Sequence, residues 1–308
     1  MIDYTTLQVY AYDPTRTTTL RNVFVKALNK RFNELIKIIR NAVVEQDVFG
    51  LNVKTYQMTV PFEGAFDFPR SQDKITAFMK WLEDQVKAGI LEIGVYNQLG
   101  SSIESAWTNL YILDSYKRGI IRARYELINA GAIIPTLEES GGVDAVMNSP
   151  FHIDRLGILY TRIYSELKGI TDAMDQIISR ILTQGIADGD GPVLLARKLV
   201  AAIDGANIGD LGLTDTLGRY ISPMRRAEML ARTEIIRAHH WAMIQEYRNW
   251  GIAGVKVLAE FVTAGDLRVC PRCDALAKGS PYTLDEIQNA IPVHVQCRCA
   301  ALPYLFNN

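Results

Sequence analysis

The sequence predicts a mainly α-helical protein with a small C-terminal α+β unit: a helical N-terminal half and, at the C-terminus, an antiparallel hairpin clamped by zinc. Three observations lead there. Apolar residues recur at three and four over long stretches, beginning with Leu20, Phe24, Leu28, Phe32, Leu35, Ile39 and Val43. Two late stretches, Gly254–Val262 and Ala300–Leu305, alternate as strands do. Between them lie all four cysteines of the chain, as Cys270-Pro271-Arg272-Cys273 and His294-Val295-Gln296-Cys297-Arg298-Cys299. Pairs of soft sulfur and nitrogen donors three apart are how a chain presents ligands to one tetrahedral zinc.

The elements follow in order. Asp13 and Pro14 read as a helix start, with proline in the first turn. The helix runs to about Val43, and its other face carries Arg21, Lys26, Lys30, Arg31, Lys37 and Arg40. That face is either simply solvated or a contact for acidic protein or DNA, where each neutralised phosphate adds to the salt dependence. Val53–Val60 reads as extended and Phe62–Pro69 as a loop whose three phenylalanines are either buried staples or an exposed apolar patch that needs a partner. Ser71 caps a second helix, with Ile75, Phe78, Met79, Leu82 and Val86 on its buried face and Gly89 at its end.

A third helix is expected from Ser101 or Ser102 to about Asn129, with Trp107, Leu110, Tyr111, Ile121 and Leu127 apolar and Gly131 as the stop. Residues 133–149, with Pro135 and Gly141-Gly142, form the best candidate boundary, so residues 1–135 make a helical N-terminal docking domain. Phe151–Gln184 is helical, with Gly157 and Gly169 as weak points, and Pro192–Ile203 is a shorter helix. Asp188-Gly189-Asp190-Gly191 between them lacks the closing glutamate of a twelve-residue calcium loop and reads as a turn. Ser222 and Pro223 open a last long helix that reaches Trp250, with Gly251 beyond it. Its adjacent His239 and His240 project about a hundred degrees apart and do not share one metal. His240 reads as a neutral, satisfied ring at the helix surface.

Composition narrows the function. At 308 residues and 48% apolar, the chain is long enough for two domains with a sizeable core. A net charge of −1 gives no global field that would draw in nucleic acid or a membrane surface. Met1–Gln8 has neither the basic nor the apolar region of a signal peptide, and no run approaches eighteen apolar residues. Cysteines gathered at one end favour a metal site made in a reducing cytosol.

A closed zinc site takes four ligands and five are on offer. The spacing favours Cys270, Cys273, His294 and Cys297, with Cys299 the substitute. Two disulfides, or four reduced thiols in a small core, are the alternatives. No glutamate sits beside the histidine as in a zinc hydrolase motif, so the metal is structural. In the helix ahead, Arg232 and Glu234 do not share a face and each needs a partner elsewhere.

Three pieces of this C-terminal stretch resemble the phage Mu F-like family, the minor head (head morphogenesis) proteins of tailed bacteriophages. They are Ala231-Arg232-Thr233-Glu234, the segment Phe261 to Cys273 with Thr263, Ala264, Asp266 and Arg268, and Ile291 to Cys299. Phe261, Ile291 and Val295 stand where the family pattern has tryptophan and two prolines. The likeness covers roughly residues 156–302, is specific from Ala231 on, and makes residues 150–308 a Mu F-like domain. Arg232, Thr233, Glu234 and Asp266 are then expected to form a structural polar tie between helix and C-terminal strand.

The resemblance implies a minor capsid component in the virion, inside the head near the portal. It would be made in the bacterial host cytoplasm, with portal and capsid proteins as partners. Contact with phage DNA during packaging or ejection is a further implication. No catalytic step is required. The competing reading is a zinc-stapled nuclease or toxin-like enzyme acting on nucleic acid or protein. It would need a catalytic histidine, and the one inside the clamp, His294, is already assigned to the metal.

Overall fold

A single carboxylate starts the fold. Asp13 accepts from the backbone N–H groups of Thr15 (3.1 Å) and Thr17 (3.2 Å), from the hydroxyls of Thr15 and Thr18 (both 2.6 Å), and from Arg21 (2.5 Å). Burial alone would raise its pKa, yet these hydrogen bonds and the Arg21 charge hold it below the ordinary value. Helix α1 therefore begins at Thr18 and runs to Arg40, later than the expected start at Pro14.

The computed structural model describes residues 13–52, 70–206, 220–252, 254 and 257–305. The expected strand Val53–Val60, the aromatic loop Phe62–Pro69 and the N-terminal Met1–Gln8 lie outside the described residues. After α1 come a π-helical turn at Asn41–Glu45, α2 at Ser71–Gly89, strands β1 at Ile93–Gln98 and β2 at Ser101–Ala106, and α3 at Asn109–Asn129. Then follow α4 at Val143–Met147, α5 at Pro150–Ala187, α6 at Pro192–Asp204 and α7 at Pro223–Ile252. Last come β3 at Val257–Val262, α8 at Pro271–Lys278, α9 at Leu284–Gln288 and β4 at Ala300–Leu305. The protein is mainly helical with a C-terminal antiparallel strand pair, as the sequence predicts.

Several boundaries differ from expectation. Ser71 is the first residue of α2, and Arg70 precedes it without a side-chain cap. Residues 93–106 form a β-hairpin where the third helix was expected to start. Its turn holds Leu99 and Gly100 at positive φ of 49° and 78°, the handedness a two-residue hairpin needs. The buried stripe of α3 is Ile112, Tyr116, Ile120, Ala123 and Leu127, whereas Leu110 and Ile121 are exposed. Helix α5 passes Gly157 and Gly169 without interruption, and a Cβ at either would meet nothing within 4 Å. The expected turn after α5 is present: Asp190 returns its N–H to the Gly185 carbonyl at 2.8 Å and binds Lys198 at 2.5 Å.

Two compact units share the chain, and their boundaries fall inside α1, β1, α5 and α7. One contains residues 1–24, 95–163 and 230–308, the other 25–94 and 164–229. Residues 133–149, the boundary expected from sequence, fall within the first unit.

The second unit buries Leu28, Phe32, Leu35 and Ile39 of α1 with Phe78 and Leu82 of α2 and Leu195 and Leu199 of α6. The Phe49 and Phe78 rings lie 5.2 Å apart. Gly185 lets α5 approach α6, because a Cβ there would meet Leu195 at 2.7 Å.

The first unit is built around α7. From Ala231 to Tyr247 this helix buries Ala231, Ile235, Ile236, Ala238, Ala242, Met243, Ile244 and Tyr247, most of its circumference. Alanines on α7 and Gly119 on α3 bring the two helices into contact: a Cβ at Gly119 would overlap the His239 carbonyl and the Ala242 methyl. The same core continues through Ala259 and Phe261 of β3, Ala301 of β4, Ile287 and Ile291, and into Cys273, Cys297 and Cys299. Strands β3 and β4 run antiparallel from Val257↔Leu305 to Val262↔Ala300, and Tyr282 adds one bridge to Ala259. The Tyr247 hydroxyl donates to the Ala301 carbonyl at 3.3 Å. Helices thus cover the short sheet, which the sequence alone left dependent on a metal.

Gly119→Ala is expected to cost about 1–3 kcal/mol by overpacking a backbone carbonyl that cannot retreat. Gly157→Ala, at an open helical position, is expected to be neutral or stabilising by about 0.5–1 kcal/mol. Urea denaturation of the two variants beside the parent chain checks the contrast.

Candidate metal centre

The site begins with a helix cap. Cys270 has extended backbone (φ −77°, ψ 156°), its sulfur accepts from the Cys273 N–H at 3.4 Å, and Pro271 occupies the first turn of α8. This N-cap arrangement aims Sγ of Cys270 along the helix start, and one turn later Cys273 points into the core. Helix α8 carries on past Cys273 to Lys278, and α9 follows, opened by a capping box between Thr283 and Glu286.

The second ligand segment is a tight turn. The Cys297 N–H donates to the His294 carbonyl at 3.1 Å, with Gln296 at φ 60°. Nδ1 of His294 lies 2.9 Å from the Val295 carbonyl. A carbonyl only accepts, so Nδ1 carries the proton and Nε2 offers its lone pair. That Nε2 lies 3.3 Å from the Cys273 sulfur.

Five donors form two overlapping triads. Cys270, Cys273 and His294 make one, and Cys273, Cys297 and Cys299 the other, with ligand atoms inside each triad within 4.8 Å of one another. Around a tetrahedral zinc, neighbouring ligand atoms stand about 3.6 Å apart. All five expected ligands are therefore gathered, and Cys273 belongs to both triads. The four cysteines are free thiols. Cys273, Cys297 and Cys299 are buried, Cys270 is half-buried and His294 is exposed.

Protonation is divided unevenly among them. The Cys273 N–H lowers the Cys270 thiol, as a helix N-terminus does. A hydrogen bond from Cys299 draws Cys297 down to about 5, and that bond together with burial pushes Cys299 up. Burial raises Cys273 to about 12, and the Val295 carbonyl raises His294. Buried thiols with raised pKa values sit beside thiols poised to ionise. A divalent cation resolves such a set by taking every sulfur as thiolate. The donor chemistry, soft sulfur with one oriented imidazole, fits a four-coordinate soft metal.

Supporting contacts hold both ligand segments. Thr233 of α7 accepts the Gln296 N–H at 3.0 Å, inside the His294–Cys297 turn. Asp266 receives a bidentate pair from Arg298 (2.7 and 2.6 Å) and further bonds from Arg268, and the Arg298 hydrogen bonds hold its carboxyl far below the usual range. Asp266 and Thr233 thus brace the two flanks of the cluster. Glu234 turns elsewhere: one oxygen takes Arg162 (3.3 Å) and Arg237 (3.1 Å), and the other is buried without a hydrogen-bond partner among the described residues. Arg232 donates to Asn22 at 3.2 Å.

Two features lay beyond sequence reasoning. His240 is buried rather than at the surface, and its Nε2 faces the carbonyls of Ile287 (3.0 Å) and Gln288 (3.2 Å) next to the cluster. A buried polar chain joins Arg124 to Glu246 (2.9 Å), Glu246 to His152 (3.1 Å) and His152 to Tyr116 (2.9 Å). Its members are widely separated in sequence, and no spacing announces them.

Fold and site together define a helical protein with a Cys/His cluster set on a short antiparallel sheet. The family described as Phage Mu protein F like protein matches residues 176–302, a stretch holding α6, α7, β3, the first half of β4 and all five donors. Over that stretch the chain is similar to phage Mu F-like proteins. Comparison with curated proteins and with solved structures gives no match. Among the described residues no helix is long and apolar enough to cross a membrane.

Burial pushes His239 down to about 3 and His240 down to about 4, from 6.5. Between those values and 6.5 the unfolded chain binds more protons than the folded one. Stability is full above about 6.5 and falls as pH drops through that window. His240→Gln keeps an N–H for the two carbonyls and removes one proton uptake. Its melting temperature is expected to fall less steeply than the parent's from pH 6.5 to 4, read by thermal denaturation at matched pH.

Proposed function

We propose that this chain is a minor head protein of a tailed phage, acting structurally at the portal vertex during head morphogenesis, with one structural Zn2+. The family match over residues 176–302 is the observation that carries the reading. The clustered donors support the metal. In this proposal Cys270, Cys273, His294 and Cys297 bind zinc, and Cys299 is the alternative fourth ligand. Thr233 and Asp266 keep the two ligand segments in register, with Arg232 and Glu234 anchoring α7 beside them.

Residues 150–308 act as the Mu F-like domain and residues 1–135 as the docking domain. The protein is made in the host cytoplasm and carried into the head near the portal. Portal and capsid proteins are its partners, and packaged DNA is a contact during packaging or ejection. A non-enzymatic role fits His294, whose Nδ1 is committed to a carbonyl and whose Nε2 faces a sulfur. That is the posture of a ligand rather than of a general base.

Elemental analysis of the purified protein is expected to give one zinc per chain, and chelation to lower its melting temperature. Cys270→Ser/Cys273→Ser is expected to abolish metal retention and destabilise the protein by several kcal/mol. Unchanged melting in that double variant rejects the clamp. Co-sedimentation with assembled portal protein, expected for the parent and reduced in the variant, tests the head role. Cleavage of plasmid by the metal-loaded protein would overturn it.

A further inference from the structure

Away from the cysteine cluster, the second unit carries a groove of about 1010 Å3. Its walls come from the end of α1 and the π-helical turn (Arg40, Val44), from α5 (Arg180, Ile181) and from α6 (Val193, Leu194, Arg197). Val193 is 60% exposed and Leu194 43%, both on α6 directly after its start at Pro192. Aliphatic side chains left open along a concave surface mark a place that another apolar surface covers. Arg40, Arg180 and Arg197 are exposed, and none of the three has a carboxylate partner among the described residues. Lys198 and Asp188, also on the wall, are already engaged, with Asp190 at 2.5 Å and Gln184 at 2.7 Å.

We infer that this groove docks an acidic amphipathic helix supplied by another protein. The floor chooses between protein and nucleic acid. A phosphate backbone would pair with the arginines but leave Val193, Leu194 and Val44 uncovered. Among the described residues no aromatic ring lines the groove to stack a base. An amphipathic helix satisfies both features, laying an apolar stripe on the aliphatic floor and its flanking carboxylates against the arginine rim. The groove is formed from three helical segments, the kind of cleft into which a helix about 10–12 Å across settles. Arg40 ends α1, and Val44 sits in the π-helical turn at Asn41–Glu45, whose wider winding takes it out of the regular α-helical row. The inference rests on the reading of the chain as an assembly scaffold and gives that scaffold's partner a chemistry.

The test uses the full chain and a fluorescein-labelled synthetic helical peptide of about five turns. The peptide has leucines at i, i+3, i+4 and i+7 and glutamates on the flanks. Fluorescence anisotropy is expected to show saturable binding, weakened at least about tenfold by Arg180→Glu/Arg197→Glu. Val193→Asp/Leu194→Asp is expected to weaken it by a similar factor. All four positions are exposed, and circular dichroism melts verify that the variants fold. A lysine-flanked version of the peptide is expected to prefer the Arg180→Glu/Arg197→Glu variant over the parent.

The inference is overturned if the acidic peptide shows no saturable binding. Binding that survives both double variants, or equal binding of the lysine peptide by the parent, overturns it too. Duplex DNA bound in place of the peptide, and lost in Arg180→Glu/Arg197→Glu, reassigns the groove to nucleic acid. Zinc content and portal co-sedimentation of the same variants report separately on the scaffold reading.

Discussion

Three sulfur atoms sealed into a hydrocarbon core are the constraint on which the C-terminal half of this protein turns. Cys273, Cys297 and Cys299 share one core with α3, α7 and the two strands. Thiols in such a place are ordinary small apolar groups until their separations are considered. Gathered within 4.8 Å, they compete for charge, and the pattern of lowered and raised acidities records that competition. A bound cation would end it by neutralising the set. Folding of the core and assembly of the donor set are then one event, because the residues that seal the strands also bring the sulfurs together.

Bracing around the cluster follows a division of labour. Thr233 holds the backbone of the His294–Cys297 turn from α7, while Asp266 links the residues before Cys270 to Arg298 beside the last two cysteines. Neither side chain is a donor in the cluster, yet both fix where donors point, as outer-shell groups do around metals. Adjacent Glu234 serves a different contact, between α7 and Arg162 of α5. The four residues of the expected tie therefore divide their work among separate neighbours.

Much of this was legible in the sequence. The three-and-four periodicity placed the long helices, because each must bury a stripe, and cysteine spacing assembled the donor set, because turns and caps are local. What was missed has physical reasons too. The hairpin at residues 93–106 turns on Leu99-Gly100, and leucine at positive φ carries none of the Asn-Gly signal. The starts of α8 and α9 were written plainly, as Pro271 after a capping cysteine and as Thr283 with Glu286, and deserved a helical reading. The Arg124–Glu246–His152–Tyr116 chain and the burial of His240 depend on which helices meet, which no local pattern encodes.

The register of the strand pair has a mechanical consequence. Val257 faces Leu305, so the chain enters and leaves the module side by side, while the cysteine-bearing excursion closes the opposite end at Val262 and Ala300. A pull applied between those neighbouring ends opens the ladder rung by rung, like a zip, instead of loading all its bonds in shear at once. The sulfur cluster, at the far end, feels tension last.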